Sequence, residues 1–380
     1  MELIQGLYFV DRLLLGGIQK FVLENLKKMN LKQVQIDFLL LDDGNKYELE
    51  DEFRHMGCNV YKLDGIWFNN AIDYLKYRKA LNQFFKQHHN YQFVHLHASS
   101  KNFGVLAIAK KYGIEVRIAH SHNIEFQTRS KAKKLIGNLF MGPLRYYATD
   151  YFACSYSAGK WLFGEKIAES SLQIVPNAVD TDRFYYHSKS CIEVKEKLKL
   201  RNKFVVGHVG RFTHQKNHTF LIDIFAEIAK KREDAVLLLI GTGELEDDIR
   251  AKVKTLGLTN KVIFEGFQTE VDFFMRAMDV MVFPSEYEGL GLVLVEAQAS
   301  GLPCVASADV IPRESKVSSL LRFVKLSEQP DYWAEITLEM AETGKRDVLS
   351  DIRKAGYDIH ETASFLQEFY ISRCAAETSL

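Results

Sequence analysis

Cysteine is scarce in this sequence, and its copies lie far apart, never in a C-x-x-C pair. The five cysteines are Cys58, Cys154, Cys191, Cys304 and Cys374. An odd and scattered set of this kind is typical of reduced thiols in the cytosol. It argues against a disulfide framework or a zinc ribbon.

Excess charge and long hydrophobic runs are also absent. Lys and Arg total 49, and Asp and Glu also total 49, so net charge gives no argument for nucleic acid as a partner. No apolar run approaches the roughly 18–20 residues that span a bilayer. Glu2 stands where a signal peptide would carry positive charge. We therefore expect a globular protein of the cytoplasm.

The 380 residues exceed what one hydrophobic core usually supports, so we expect two domains. Short apolar stretches alternate with longer amphipathic ones in both halves, which is typical of α/β domains with parallel sheets. The turn-rich segment Pro176–Asp180 is the predicted hinge. We also predict a helix over Lys131–Ala148 that breaks near Gly142–Pro143.

The segment Glu288–Ser300 combines two glutamates with two glycines. It follows the apolar Asp279–Pro284, which predicts a buried strand, and it continues into a short helix. Gly289 and Gly291 leave backbone N–H groups open at the start of that helix, where an anion is favoured. A phosphate can bind there, with a carboxylate on either side to accept hydrogen bonds from sugar hydroxyls.

Two cations follow the first predicted strand of the second half, Phe204–Val209. They are Arg211 and Lys216. Ligands of open parallel sheets bind beyond the carboxyl ends of the strands, and an Arg fork with a Lys point charge is a common phosphate-binding pair. We therefore predict that these side chains bind a diphosphate; a solvated basic turn is the alternative.

Two glycine pairs also follow predicted strands. Gly16–Gly17 resembles a phosphate-binding loop, but it lacks the G-x-G-x-x-G spacing and the acidic residue of a dinucleotide site. A plain turn is therefore the alternative. Gly241–Glu244 is interpreted chiefly as a turn from strand to helix.

Two His-x-His pairs stand at predicted strand ends: His95 with His97, and His120 with His122. Period two places each pair on one face of its strand, and a zinc site is one interpretation. No cysteine or acidic residue is spaced to join them. We therefore favour satisfied packing roles for the first pair, and sugar or phosphate contact for His122.

Thr128–Tyr147 is a basic amphipathic segment. It predicts either attachment to an anionic membrane surface or a helix with its apolar face in the core. Its cations are Arg129, Lys131, Lys133, Lys134 and Arg145. Its apolar residues are Leu135, Ile136, Leu139, Phe140, Met141 and Leu144.

Together these motifs resemble the retaining GT-B glycosyltransferases of sequence family 4, in particular the EpsF-type enzymes of exopolysaccharide and capsule biosynthesis. The resemblance covers nearly the whole chain. It is strongest in Gly207–Asn217, Phe283–Ser307 and Arg117–Asn123. The E-x7-E motif, Glu288 with Glu296, is fairly specific when it occurs beside the Gly-Arg-Phe-x-x-x-Lys-Asn stretch.

The resemblance implies an α/β fold of GT-B architecture, with two facing Rossmann-like domains, parallel sheets and an active site in the cleft between them. The implied domains are residues 1–180 on the acceptor side and 181–356 for the nucleotide sugar. Residues 357–380 are implied to form a C-terminal helix, roughly Tyr357–Arg373, that crosses back to the first domain.

By the same resemblance, Arg211 and Lys216 hold the donor diphosphate. Glu288 contacts the donor sugar, and Glu296 accepts a hydrogen bond from the ribose. The other implied contacts are His122 at the transferred sugar, Gly16 and Gly17 at the phosphate, Gly289, Leu290, Gly291 and Leu292 at sugar and phosphate, and Gly266, Phe267 and Gln268 at the base. No metal and no cofactor are implied.

The implied activity is a retaining, hexosyltransferase-type glycosyltransferase. It moves a sugar from a nucleotide-diphosphate donor, UDP above all, to a polyprenyl-diphosphate-linked or oligosaccharide acceptor. A non-catalytic nucleotide-sugar-binding partner of a polysaccharide synthase and a nucleotide-sugar epimerase remain open as alternatives. The sequence does not specify the sugar, the linkage, the acceptor or the oligomeric state.

Overall fold

The computed structural model describes residues 3–13, 16–41, 44–63, 71–97, 99–124, 126 and 130–378. The chain divides into two compact units, and each is described by itself. Unit 1 comprises Met1–Asn177 and Ile359–Leu380, and unit 2 comprises Ala178–Asp358. No helix in these described ranges combines the length and the apolar character needed to cross a bilayer.

Unit 1 is built on a parallel sheet that has seven strands within the described residues. In chain order they are β1 (Ile4–Val10), β2 (Val34–Leu41), β3 (Val60–Leu63), β4 (Phe93–His97), β5 (Val116–Ser121), β6 (Asp150–Ala153) and β7 (Leu172–Ile174). Their order in space is β3-β2-β1-β4-β5-β6-β7. The direction of the strand order reverses between β1 and β4, as in doubly wound nucleotide-binding folds.

Helices cover both faces of this sheet. They are α1 (Gly17–Lys28), α2 (Glu48–His55), α3 (Ala71–Gln87), α4 (Gly104–Lys111), α5 (Lys131–Tyr147), α6 (Tyr156–Phe163), α7 (Glu165–Ser170) and, from the end of the chain, α15 (Ile359–Thr378). Strand β1 shows why helices must cover both faces of the sheet. Leu7 and Phe9 point into one hydrophobic core, and Tyr8 and Val10 point into the other.

The helix predicted to return to the first domain is α15, and it packs on unit 1. Tyr370 on α15 is buried, stacks on Phe93 with ring centroids 4.2 Å apart, and shares a 2.6 Å hydrogen bond with the hydroxyl of Tyr8. The helix extends beyond the predicted end at Arg373 because its apolar face continues to the buried Cys374.

The predicted break near Gly142–Pro143 is wrong. Helix α5 runs without interruption through Pro143. A proline inside a helix removes one backbone hydrogen bond and clashes with the preceding turn, which costs about 3 kcal/mol or more. Met141 and Leu144 on either side of it are buried, and this packing offsets the loss.

Unit 2 repeats the same design with six parallel strands among the described residues. They are β8 (Phe204–Val209), β9 (Ala235–Ile240), β10 (Val262–Gly266), β11 (Val280–Phe283), β12 (Cys304–Ser307) and β13 (Leu321–Val324), and their order in space is β10-β9-β8-β11-β12-β13. The helices are α8 (Ser188–Lys197), α9 (His218–Lys231), α10 (Glu246–Thr255), α11 (Val271–Ala277), α12 (Leu292–Ala299), α13 (Pro330–Glu342) and α14 (Leu349–Lys354).

The predicted fold class, two Rossmann-like domains with parallel sheets, is confirmed. The sequence interpretation did not include α2, α6, α7, β13, α13 and α14. Most of these elements are short, with four to eight residues each. Over such lengths the hydrophobic period gives little signal.

Candidate active site

Two loops that are distant in sequence meet in unit 2 where the strand order reverses. Strands β8 and β11 are neighbours in the sheet, paired through Val206 with Val280. The loop after β8 carries Arg211 and Lys216, and the loop after β11 carries Glu288. A reversal of this kind leaves a crevice at the carboxyl ends of the strands, where ligands bind.

The central contact of this site is an ion pair. The Nζ atom of Lys216 lies 2.5 Å from Oε1 of Glu288, and the two side chains are only 17% and 9% exposed. The ammonium group also lies over the ring of Phe283, 4.6 Å from its centroid. Because the cation has a carboxylate and an aromatic face as partners, its position in the crevice is well defined.

Gln215, which the sequence interpretation missed, joins the same two loops. Its backbone carbonyl accepts a 2.8 Å hydrogen bond from the N–H of Glu286, and its side-chain Nε2 donates a 2.9 Å bond to the carbonyl of Tyr287. No sequence signal marks this residue, since it lies at an unspecified position of the motif. The two hydrogen bonds fix the backbone beside the ion pair.

Arg211 differs from Lys216 in its surroundings. It is exposed, and in the described part of the chain its guanidinium makes no hydrogen bond or ion pair.

The backbone beside Arg211 is held by the neighbouring turn between β9 and α10. Phe212 donates a 3.0 Å hydrogen bond to the carbonyl of Thr242. A Cβ atom on Gly241, whose φ is +134°, would lie 2.1 Å from the carbonyl oxygen of Gly210. The turn can therefore approach the loop this closely only because residue 241 is glycine.

The start of α12 lies on the other side of Glu288. Gly291 has a left-handed conformation with φ of 72° and directly precedes the helix. Gly289 is exposed, whereas Leu290 and Leu292 pack against the core of unit 2. Glu296 lies one turn into the helix and is buried. The two glutamates of the motif thus occupy different environments, one on the loop and one on the helix.

The third predicted segment of unit 2 follows the bulged end of β10. Gly266 has φ of 70°, and its carbonyl accepts a 2.7 Å hydrogen bond from the N–H of Gly241. Phe267 is 62% exposed, and Gln268 donates to the carbonyl of Glu265 at 2.9 Å. An exposed aromatic ring at a strand end is a surface on which a planar base can stack.

A buried histidine lies behind the cations. His218 stacks on Phe212 with ring centroids 4.2 Å apart, and neither of its ring nitrogens has a hydrogen-bond partner among the described residues. Burial, and then the charge of Lys216, lower the pKa of His218 to about 4. This imidazole is therefore neutral at physiological pH.

In unit 1, the predicted glycines and His122 lie near the ends of β1 and β5. Gly16 is extended and accepts a 2.9 Å hydrogen bond from the N–H of Lys20, and a Cβ on Gly17 would meet nothing within 4 Å. His122 lines a cavity of about 210 Å³ together with Asp11 and Trp161. Burial lowers the pKa of His122 to about 3, so its ring is neutral.

The packing role predicted for the first histidine pair is only half right. His95 is satisfied, because Nδ1 lies 2.8 Å from the hydroxyl of Tyr370 and Nε2 lies 3.2 Å from Nδ1 of His120. His97 Nδ1 lies 3.0 Å from Nε2 of His122, but its own Nε2 is buried without a partner in the described ranges.

Two family models match this sequence. "Glycosyltransferase Family 4" matches residues 15–183, and "Glycosyl transferases group 1" matches residues 192–341. The matches fall almost entirely on unit 1 and unit 2 respectively.

Curated relatives extend the likeness over most of the chain. A putative glycosyltransferase EpsF of Bacillus subtilis is 31% identical, with 93% of each chain covered. The UDP-Gal:alpha-D-GlcNAc-diphosphoundecaprenol alpha-1,3-galactosyltransferase of Escherichia coli is 26% identical, with 77% of this chain and 76% of the relative covered.

A solved structure matches the fold. The crystal structure of Anabaena Alr3699/HepE in complex with UDP has a TM-score of 0.75 at 18% identity, covering 98% of this chain and all of that one. At this identity the match bears on the fold alone. The EpsF relationship and the two family models together establish the family. The chain belongs to glycosyltransferase family 4 and is a glycosyltransferase.

Proposed function

We propose that this glycosyltransferase transfers a sugar from a UDP-sugar, with retention of anomeric configuration, to a polyprenyl-diphosphate-linked or oligosaccharide acceptor in exopolysaccharide or capsule biosynthesis. One observation carries the proposal: Lys216 and Glu288 are paired at the strand-order reversal of unit 2, with Arg211 exposed nearby. Two comparisons support it. The relative from E. coli is named for a UDP-sugar donor and a lipid-linked acceptor, and HepE was crystallised with UDP.

The two cations serve the diphosphate. As the bond between sugar and diphosphate breaks, negative charge grows on the leaving oxygens, and fixed cations stabilise that charge more than they stabilise the ground state. Lys216 is held in place before the donor arrives, and Arg211 has its whole donor fork available. The backbone of Gly289 to Leu292 adds N–H donors at the start of α12.

We infer the remaining donor contacts from the family resemblance. Glu288 accepts hydrogen bonds from the sugar hydroxyls, and Glu296 accepts from the ribose. Gly266, Phe267 and Gln268 border the base, with the exposed ring of Phe267 as a stacking surface. Contacts of Gly16 and Gly17 with phosphate, and of His122 with sugar, remain predictions that rest on the family resemblance.

The chemistry we propose uses no covalent nucleophile, metal or cofactor. The bond from the anomeric carbon to the diphosphate oxygen breaks, and a bond from that carbon to the acceptor oxygen forms on the same face. The acceptor's proton passes to the departing phosphate oxygen, which becomes its base. The protein supplies position and electrostatic stabilisation.

A donor panel tests this function. UDP-, GDP- and ADP-sugars are screened by thermal shift, and the donor that binds is then incubated with membrane extract. We expect stabilisation by UDP-sugars and transfer of label to the extract. Stabilisation without transfer or hydrolysis would favour a non-catalytic binding partner, and isomerisation of donor alone would favour an epimerase. No response to any donor would contradict the proposal.

We also propose that unit 1 attaches peripherally to the anionic cytoplasmic face of a membrane, where a polyprenyl-linked acceptor is found. Of the basic segment, Thr128 and Arg129 lie outside the described residues. Helix α5 exposes Leu135, Ile136 and Leu139, which are 63%, 50% and 67% accessible, beside the exposed Lys131. Apolar side chains next to cations favour an anionic lipid surface.

Vesicle co-sedimentation tests the attachment. We expect the protein to pellet with anionic vesicles, less so at high salt, and not with neutral vesicles. The double variant Leu135→Asp and Leu139→Asp should lose binding. Leu256→Asp, at a 44% exposed position of unit 2, is the matched control. Equal pelleting with both vesicle types, or no effect of the double variant, would remove this part of the proposal.

A further inference from the structure

Four histidines converge in the interior of unit 1. They come from two neighbouring parallel strands, His95 and His97 from β4 and His120 from β5, with His122 directly after β5. The rings pair across the strands, at 3.2 Å between His95 Nε2 and His120 Nδ1 and at 3.0 Å between His97 Nδ1 and His122 Nε2. We call these residues the histidine cluster.

The cluster has more nitrogen atoms than hydrogen-bond partners. Nε2 of His97, Nε2 of His120 and Nδ1 of His122 are inaccessible to solvent, and within the described ranges none of them has a partner. Buried polar atoms are normally satisfied, and unsatisfied ones destabilise a fold. The packing of unit 1 therefore does not account for the whole cluster, and the nitrogens that face one another across the strands are the candidate ligand atoms.

We propose that the histidine cluster binds one divalent transition metal ion, with Zn²⁺ as the best match. One ligand atom each from His95, His97 and His120 can be chosen so that all three lie within 4.8 Å of one another. A zinc–nitrogen bond of about 2.0–2.1 Å in tetrahedral geometry places two nitrogens about 3.3 Å apart, close to both cross-strand spacings. Imidazole ligands favour Zn²⁺, Cu²⁺ or Ni²⁺ over Mg²⁺ and Ca²⁺.

An outer hydrogen bond orients one ligand. The hydroxyl of Tyr370 lies 2.8 Å from Nδ1 of His95, and the hydroxyl of Tyr8 lies 2.6 Å from that of Tyr370. A histidine whose Nδ1 is held in this way presents Nε2 to an ion, which is the usual arrangement around ligating histidines. Satisfied packing alone does not require this combination.

A cavity and a carboxyl group lie beside the histidine cluster. The cavity of about 210 Å³ borders His97, His120 and His122, and Asp11 lines the same cavity. The Asp11 carboxylate would offset part of the ion's charge. This site belongs to unit 1, and the donor chemistry proposed for unit 2 does not depend on it.

Cobalt binding tests the proposal. The full chain is stripped with a chelator and titrated with Co²⁺, then with Zn²⁺. We expect one equivalent of Co²⁺ to give the visible ligand-field bands that are typical of tetrahedral coordination. Added Zn²⁺ should displace the Co²⁺ and abolish these bands. The wild type alone can overturn the proposal, if it binds no Co²⁺ or shows only the spectrum of the hydrated ion.

Variants locate the site. His120→Asn should abolish the bands, and Tyr370→Phe, which keeps all four rings, should weaken Zn²⁺ binding about 10- to 100-fold. His89→Asn, at an exposed position, is the control and should bind as wild type. If His120→Asn does not fold, Tyr370→Phe still tests the location. Unchanged affinity in Tyr370→Phe together with loss in His89→Asn would mean a surface site and overturn the proposal.

Discussion

Lys216 and Glu288 are separated by 72 residues, yet their charged groups lie 2.5 Å apart at the strand-order reversal of unit 2. Both side chains are mostly shielded from solvent, with exposures of 17% and 9%. The pair therefore has two consequences that can be measured separately. It stabilises unit 2, and it holds in place a cation that the donor diphosphate would use.

Replacing Lys216 should damage both stability and activity. In Lys216→Ala, Glu288 keeps a largely buried charge without its partner, which costs about 3 kcal/mol. Transfer should fall by about 100-fold or more, because fixed charge at the leaving group is lost. Thermal melts and initial rates with saturating donor measure the two effects. Lys230→Ala, which breaks an exposed pair with Glu227, is the control and should change neither. A wild-type transfer rate in Lys216→Ala would contradict the assignment.

Replacing Arg211 should separate the two effects. This side chain is exposed, so Arg211→Ala should change the free energy of unfolding by less than about 0.5 kcal/mol. Binding of UDP should nevertheless weaken by about 10- to 150-fold, since a charge-assisted hydrogen bond contributes about 1.5–3 kcal/mol. Isothermal titration with UDP measures this. Arg201→Ala, at a 71% exposed position, is the control, and equal UDP affinity in the two variants would sink the idea.

The sequence predicted where two of these residues lie in the fold, but not how their loops meet. Arg211 and Glu288 could be placed at strand ends because parallel strands bring their carboxyl ends to one edge of the sheet. The direct contact between Lys216 and Glu288 could not be predicted, because it depends on loop geometry that Gln215 sets through hydrogen bonds to Glu286 and Tyr287. Loops carry no periodic signal, so such bonds are visible only in the folded chain.

Two features of unit 1 were predicted less well for a related reason. Period two placed each His-x-His pair on one face of its strand, but cross-strand pairing such as that of His97 with His122 requires the strand order. Along α5 the helical period marked an apolar face without indicating its environment. Leu135 and Leu139 are exposed, whereas Met141 and Leu144 are buried.

Close backbone packing beside Arg211 gives a third prediction. In Gly241→Ala, the new Cβ would clash with the carbonyl of Gly210 at a φ of +134°, so the loop must move. We expect a lower melting temperature and a large loss of UDP binding. Gly257→Ala is the control, since φ there is +69° but a Cβ meets nothing within 4 Å. Gly257→Ala should cost only about 1 kcal/mol of backbone strain and bind UDP normally. Equal UDP binding in the two variants would show that the turn does not position the loop.

The stability of unit 2 should decrease as the pH decreases, and part of this decrease should come from His218. Its pKa is about 4 in the folded chain and about 6.5 unfolded, so the unfolded state binds the extra proton. Its contribution is complete above pH 6.5 and is lost as pH falls from there toward 4, by about 2 kcal/mol at pH 5.

His218→Phe keeps an aromatic ring against Phe212 and removes the titrating group. Amide hydrogen exchange in β8, corrected for intrinsic rates, measures the opening free energy of unit 2 at pH 7 and pH 5. Buried groups distant from His218 titrate in both proteins and cancel in the comparison. His208 does not cancel fully, because its ring lies 4.6 Å from that of His218 and its pKa is lowered by burial and then by the charge of His218. We therefore expect the decrease between the two pH values to be about 2 kcal/mol smaller in the variant. An identical decrease in wild type and variant would show that His218 takes up its proton equally in the folded and unfolded states, so that folding does not lower its pKa.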